Sequence, residues 1–289
     1  MRMKNMKGVM LNSHIWCLIS DLMIGTFTIP YVFFPLVVGT PLGIFTKLGM
    51  NAFVQTYFGV ACVGEVGASI VFMFENRQYQ TVQSKFKIGS TWSRKLFILI
   101  NSLVPFTTQV FAFSNIPDQV IAKLEQLKVL PCPTKEYFEY PVIIITNNKE
   151  LIGYLLLMLV SFYALQSLVF ILHVAFYLRI TTKSTTMSEK TKKMKQKYFI
   201  AVCIQIIVPL LIIAIPVGYF VFSMVTGFYC QKINNFCFLI ISVHGCTATI
   251  STIFIYENYR IYTLQLLRIK SRSKITLIQS KSMAETTYI

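Results

Sequence analysis

Apolar residues run in long blocks along this chain, and polar stretches rich in Lys and Arg separate many of them. The blocks fall at about 12–38, 49–74, 96–114, 151–178, 198–226 and 236–256. Each is long enough to cross roughly 30 Å of hydrocarbon at ~1.5 Å per helical residue. They are continuous rather than alternating, so they predict helices and not barrel strands. The third block is short and carries Asn101, Pro105, Thr107, Thr108 and Gln109, groups that need partners on neighbouring helices. The expected architecture is all-α, a polytopic transmembrane helical bundle over 1–260 followed by a basic tail, 261–289. From Tyr259 to Lys270 apolar and basic positions interleave, as in a helix lying in the membrane interface.

Charge orients the bundle. If the blocks cross in alternating directions, 21 of the 27 basic residues fall on one side and 6 on the other. Basic residues stay in the cytosol, so both termini are expected there. The first block is too long for a signal peptide and contains Asp21 and two prolines, so it reads as a retained helix. The connection at 179–197 is the most basic; it reads as retention near anionic lipid or as a docking surface for a cytosolic partner. The net charge of +16 accompanies 55% hydrophobic and only 13% charged residues. A chain with so little polar surface is not a soluble nucleic-acid binder.

A few residues break the apolar pattern. Asp21 lies within the first span and Glu65 mid-way through the second; a carboxylate at that depth is costly and normally faces the bundle interior. Because the two spans run in opposite directions, the pair can meet as a polar switch, an ion site or a proton site. Glu75, Asn76 and Arg77 close the second span, where the arginine can pair locally or reach another helix. Pro209 and Pro216 in the fifth span oppose a straight helix and predict a kink. Gly64, Gly67 and Ala68 permit close helix approach. Cys132, Cys230 and Cys237 fall on the outer side, where one disulfide can form with one thiol left over. His14, His173 and His244 are too scattered for a zinc motif, and no nucleophile elbow or phosphate-binding loop occurs. No enzyme, metal or cofactor is expected.

Several segments in order carry a family resemblance. They are Leu11-Asn12-Ser13-His14 with Ser20-Asp21-Leu22; Thr40-Pro41-Leu42-Gly43; Phe74-Glu75-Asn76-Arg77; Leu130-Pro131-Cys132-Pro133; Met187-Ser188-Glu189-Lys190-Thr191; Ala201-Val202-Cys203-Ile204-Gln205 with Pro209 and Pro216-Val217-Gly218-Tyr219; and His244-Gly245. Together the sequence resembles the nematode serpentine chemoreceptors of class H, seven-helix receptors of the G-protein-coupled, rhodopsin-like type. The first span here resembles that family's second, so its first helix is expected to be missing. The family's Pro-Tyr-Arg element stands here as Asn258-Tyr259-Arg260. No cysteine occupies the outer end of the second span, so the common receptor disulfide to Cys132 would have to use Cys230 or Cys237 instead.

The resemblance implies a chemosensory receptor in the plasma membrane of a sensory neuron. A small-molecule ligand would enter from the outer side beneath the 115–150 loop, and a heterotrimeric G protein would read Glu75, Asn76, Arg77, Tyr259 and Arg260. Two alternatives stand beside it: a small cation-coupled transporter or channel subunit using Asp21 and Glu65, and a truncated, non-functional receptor copy.

Overall fold

The computed structural model describes residues 4–82, 88–130, 132–183 and 188–267. The basic residues Lys85 and Lys87 and the tail from 268 onward lie outside them. The first helix, α1 (Lys4–Leu22), widens into a π-helical turn over Met23–Phe27 and stops there. The expectation of a helix to residue 38 is therefore corrected. Pro30 and Pro35 remove backbone donors and disfavour the helical conformation in the residues before them, and Ile29 turns to a positive φ of 44°. The chain leaves as a hairpin of β1 (Pro30–Val32) and β2 (Val38–Pro41), with Pro30 opposite Pro41. A distant strand, β3 (Ile143–Ile144), pairs antiparallel with the other edge of β2.

The short α2 (Ile44–Lys47) leads to α3 (Ala52–Thr81), whose start is capped by Asn51 accepting from the Phe53 amide at 2.8 Å. This helix runs past residue 74, so Glu75, Asn76 and Arg77 sit inside it rather than at its end. Next come α4 (Thr91–Ala112) and, within the 115–150 loop, α5 (Gln119–Leu127) and α6 (Glu136–Glu139). The remaining helices are α7 (Lys149–Lys183), α8 (Glu189–Thr226), α9 (Gln231–Ser242), α10 (His244–Ile255) and α11 (Glu257–Leu266). Ser188 caps α8 through the Thr191 amide, so most of the basic connection is the first turns of a helix. α8 passes unbroken through Pro209 and Pro216. The last block is broken in two, with α9 and α10 meeting at a 40° bend.

Among the described residues, five helices are long and apolar enough to cross a membrane, or six if the bent α9–α10 pair counts as one span. The chain is a multi-pass membrane bundle with α3 at its centre. Of the most apolar window of α3, 61% is buried, against 28% or less for the other single helices. Small residues make that position possible: a Cβ on Gly64 would lie 2.6 Å from Pro105 Cβ of α4, and one on Gly67 would lie 2.9 Å from the Tyr163 ring of α7. The main core cluster gathers Ala68, Val71 and Phe72 of α3 with Tyr163 and Phe170 of α7 and Val202 of α8.

The 115–150 segment folds into a lid over the sheet. Asp118 caps α5 by accepting from the Val120 and Ile121 amides, both at 3.0 Å. Gln119 brackets Ile144, donating to its carbonyl at 3.0 Å and accepting from its amide at 2.9 Å. Tyr137 is wholly buried edge-on to Phe33, 5.2 Å between ring centres, and so fastens lid to hairpin.

Candidate functional site

Beneath the sheet lies a cavity of about 330 Å³. Its walls come from the π-helical turn, the sheet, α3, α4, α7 and α9, with Ile24, Val60, Val63, Leu159 and Phe238 typical of them. No charged side chain lines it. Its polar members are Thr28, Thr40, Thr56, Thr108 and Gln109. Thr56 and Thr108 donate to carbonyls of their own helices, Ala52 and Val104, at 2.9 and 2.8 Å. The 115–150 segment contributes β3 to the sheet above the cavity and Ile143 and Ile145 to its wall.

At the opposite, lysine-rich end, α3 is clasped to its neighbours. Arg94, in the first turn of α4, meets Glu75 with two parallel bonds: Nε to Oε1 and Nη2 to Oε2, each 2.8 Å. Such a fork is the strong form of a charge-assisted pair. Arg94 Nη2 also donates to Asn76 Oδ1 at 3.3 Å, and its guanidinium lies 4.0 Å above the Tyr79 ring. Arg77 is 3% exposed and reaches across to α8, donating to the Lys195 carbonyl at 3.2 Å. Lys195 Nζ returns to the Thr81 carbonyl at 3.3 Å. Of the two pairings open to Arg77 from the sequence, the structure takes the one across helices, and Glu75 finds Arg94 instead.

In the middle of the bundle, Asp21 and Glu65 do not meet. Asp21 accepts from the Gly245 and Cys246 amides, at 3.2 and 3.1 Å, capping the start of α10 at the 40° bend. Its Oδ1 lies 2.9 Å from His244 Nδ1. A Cβ on residue 245 would fall 2.6 Å from Asp21 Oδ2, so Gly245 is what admits the carboxylate. Glu65 faces the other way, beside Ser102 and Tyr163. It is fully buried, and neither carboxyl oxygen has a hydrogen-bond partner among the described residues.

Tyr259 is half-buried edge-on to Tyr256, 6.0 Å between centres, while Arg260 is exposed and donates to the Phe254 carbonyl at 3.4 Å. The expected disulfide is absent: all seven cysteines are free. Cys132 lies exposed on the lid, whereas Cys237 is buried against Ile24 and Phe220, and Cys230 sits just before α9 without a side-chain capping bond. Sequence reasoning missed Arg94, counted there only as a loop charge, and His244, set aside as one of three scattered histidines. It also left Thr28 unremarked. The one available signal for His244 was that a histidine in an apolar span needs a polar partner, and Asp21 was a candidate.

The family model described as serpentine type 7TM GPCR chemoreceptor Srh matches residues 1–269. Serpentine receptor class H-72 of Caenorhabditis elegans is 26% identical over 283 residues, which cover 97% of this chain and 81% of that protein. No solved structure matches significantly.

Proposed function

The chain belongs to the Srh family of serpentine chemoreceptors, and from that premise we propose that it detects a small molecule in the cavity beneath the sheet and signals to a heterotrimeric G protein. One observation carries the reading. The same two helices, α3 and α4, wall the cavity at one end and hold the Glu75–Arg94 fork at the other. Gln109 and Arg94 lie on one continuous helix, about 22 Å apart at 1.5 Å per residue. A ligand that binds one packing of α3 against α4 better than another therefore biases the clasp.

In this reading, release of Glu75, Asn76 and Arg77 opens the lysine-rich end to the G protein, with Tyr259 and Arg260 of α11 at its margin. Asp21 and His244 fix the bend between α9 and α10 and act as the polar switch, and Glu65 is a second, separate element of it. The protein then sits in the plasma membrane of a sensory cell, with the lysine-rich end in the cytosol.

The test is expression of the full chain in cultured cells with a panel of G-protein α subunits and a broad panel of volatile small molecules. A concentration-dependent response that Arg77→Ala abolishes supports the proposal. Surface-expressed protein that answers no compound with any α subunit refutes it.

A further inference from the structure

The polar atoms of the cavity fall into two kinds. Thr56 and Thr108 are already bonded within their helices. Thr40 is 2% exposed and its hydroxyl has no hydrogen-bond partner among the described residues. Two further groups are likewise unpaired. Thr28 is 5% exposed and its hydroxyl has no hydrogen-bond partner among the described residues. Gln109 is 7% exposed, and its side-chain amide makes no hydrogen bond among the described residues. Both line a chamber whose wall is mostly hydrocarbon.

Buried polar groups left unpaired are costly, and native structures satisfy nearly all of them. An unpaired hydroxyl and an unpaired primary amide on the wall of one cavity mark where a ligand's polar group sits. Resting on the receptor reading for its biological meaning, we infer that the cavity selects a neutral, mainly aliphatic molecule carrying one uncharged oxygen function, an alcohol or a ketone, seated on Gln109 and Thr28. The amide offers two donors and an acceptor and the hydroxyl offers one donor and two acceptors, so both kinds of oxygen are met. Carboxylates and ammonium ions are excluded because no opposite charge lines the wall. Pure hydrocarbons fill the space but leave both protein groups unpaired. A cavity of this volume lies at the lower end of those that hold small ligands.

The experiment measures binding without any G protein, so its failure is distinct from failure of the signalling proposal. The full chain in lipid nanodiscs is photolabelled with a diazirine-bearing octanol, with straight-chain nonanol, nonane or nonanoate as competitors, and the labelled peptides are identified by mass spectrometry. Label is expected on the peptides of α3, α4 and the hairpin that wall the cavity. Nonanol should displace it about tenfold better than nonane, as one satisfied buried hydrogen bond gives, and nonanoate should compete least. Gln109→Leu should remove most of the preference for nonanol over nonane while nonane still competes. Thr28→Val, nearly the same shape, should reduce the preference less and guards against a folding defect in the first variant. Label outside the cavity, nonanoate competing as well as nonanol, or an unchanged preference in both variants overturns the inference.

Discussion

Gly64 offers the sharpest test of the packing around α3. A methyl group there would approach Pro105 Cβ at 2.6 Å and Pro105 Cγ at 3.0 Å. Carbon atoms rest at about 3.5–4.0 Å, so the shortfall is roughly 1 Å. Pro105 has no long flexible side chain to swing aside; its ring is built into the backbone of α4, and relief requires moving the helix itself. Overpacking of this kind costs about 1–3 kcal/mol. For a chain of this size that predicts a fall in melting temperature of about 2–12 °C for Gly64→Ala, scaling from 2–4 °C per kcal/mol. Gly218, inside α8, has nothing within 4 Å of its would-be Cβ, so Gly218→Ala should leave the midpoint unchanged or raise it slightly. The assay is thermal unfolding in detergent followed by a thiol-reactive dye, with buried Cys17, Cys62 and Cys237 as reporters. Equal midpoints for the two variants would refute the close α3–α4 approach.

Other consequences concern the polar groups. Glu75→Gln breaks the fork to Arg94, whose side chain is 24% exposed against 2% for Glu75, and should raise ligand-independent G-protein turnover several-fold; unchanged basal turnover would remove the clasp from the mechanism. Asp21→Asn and His244→Gln, alone and together, should show a coupling of about 1 kcal/mol or more in a double-mutant cycle of thermal stability, whereas simple additivity would mean that the 2.9 Å contact carries no interaction. Tyr229, in the connection between α8 and α9, has its phenol pushed up to about 12, chiefly by burial. The fold thus favours its neutral form, so its contribution to stability is complete below the ordinary tyrosine value of about 10 and is lost as pH rises toward 12. The alkaline difference spectrum between the parent and Tyr229→Phe should develop near pH 12; development near 10 would contradict that burial.

The sequence by itself determined the class of molecule. Continuous apolar blocks admit little but helices in hydrocarbon, because only a helix satisfies its own backbone there. For that reason α3, α4, α7 and α8 lie close to the blocks that announced them. Errors arose where local chemistry outweighed the block: prolines at 30 and 35 turned the first block into a helix plus hairpin, and the last block is broken at Val243. Glu75-Asn76-Arg77 and Asp21 were legible as anomalies because charge in an apolar span is rare, but their partners were not. Arg94 lies 19 residues from Glu75, and the amides that Asp21 caps begin 224 residues away at Gly245. No periodicity links such positions. Which groups meet, and that Thr28 and Gln109 come to line one cavity, follow from how the helices pack, and helix packing in a bilayer is set by small residues and shape complementarity rather than by any pattern along the chain.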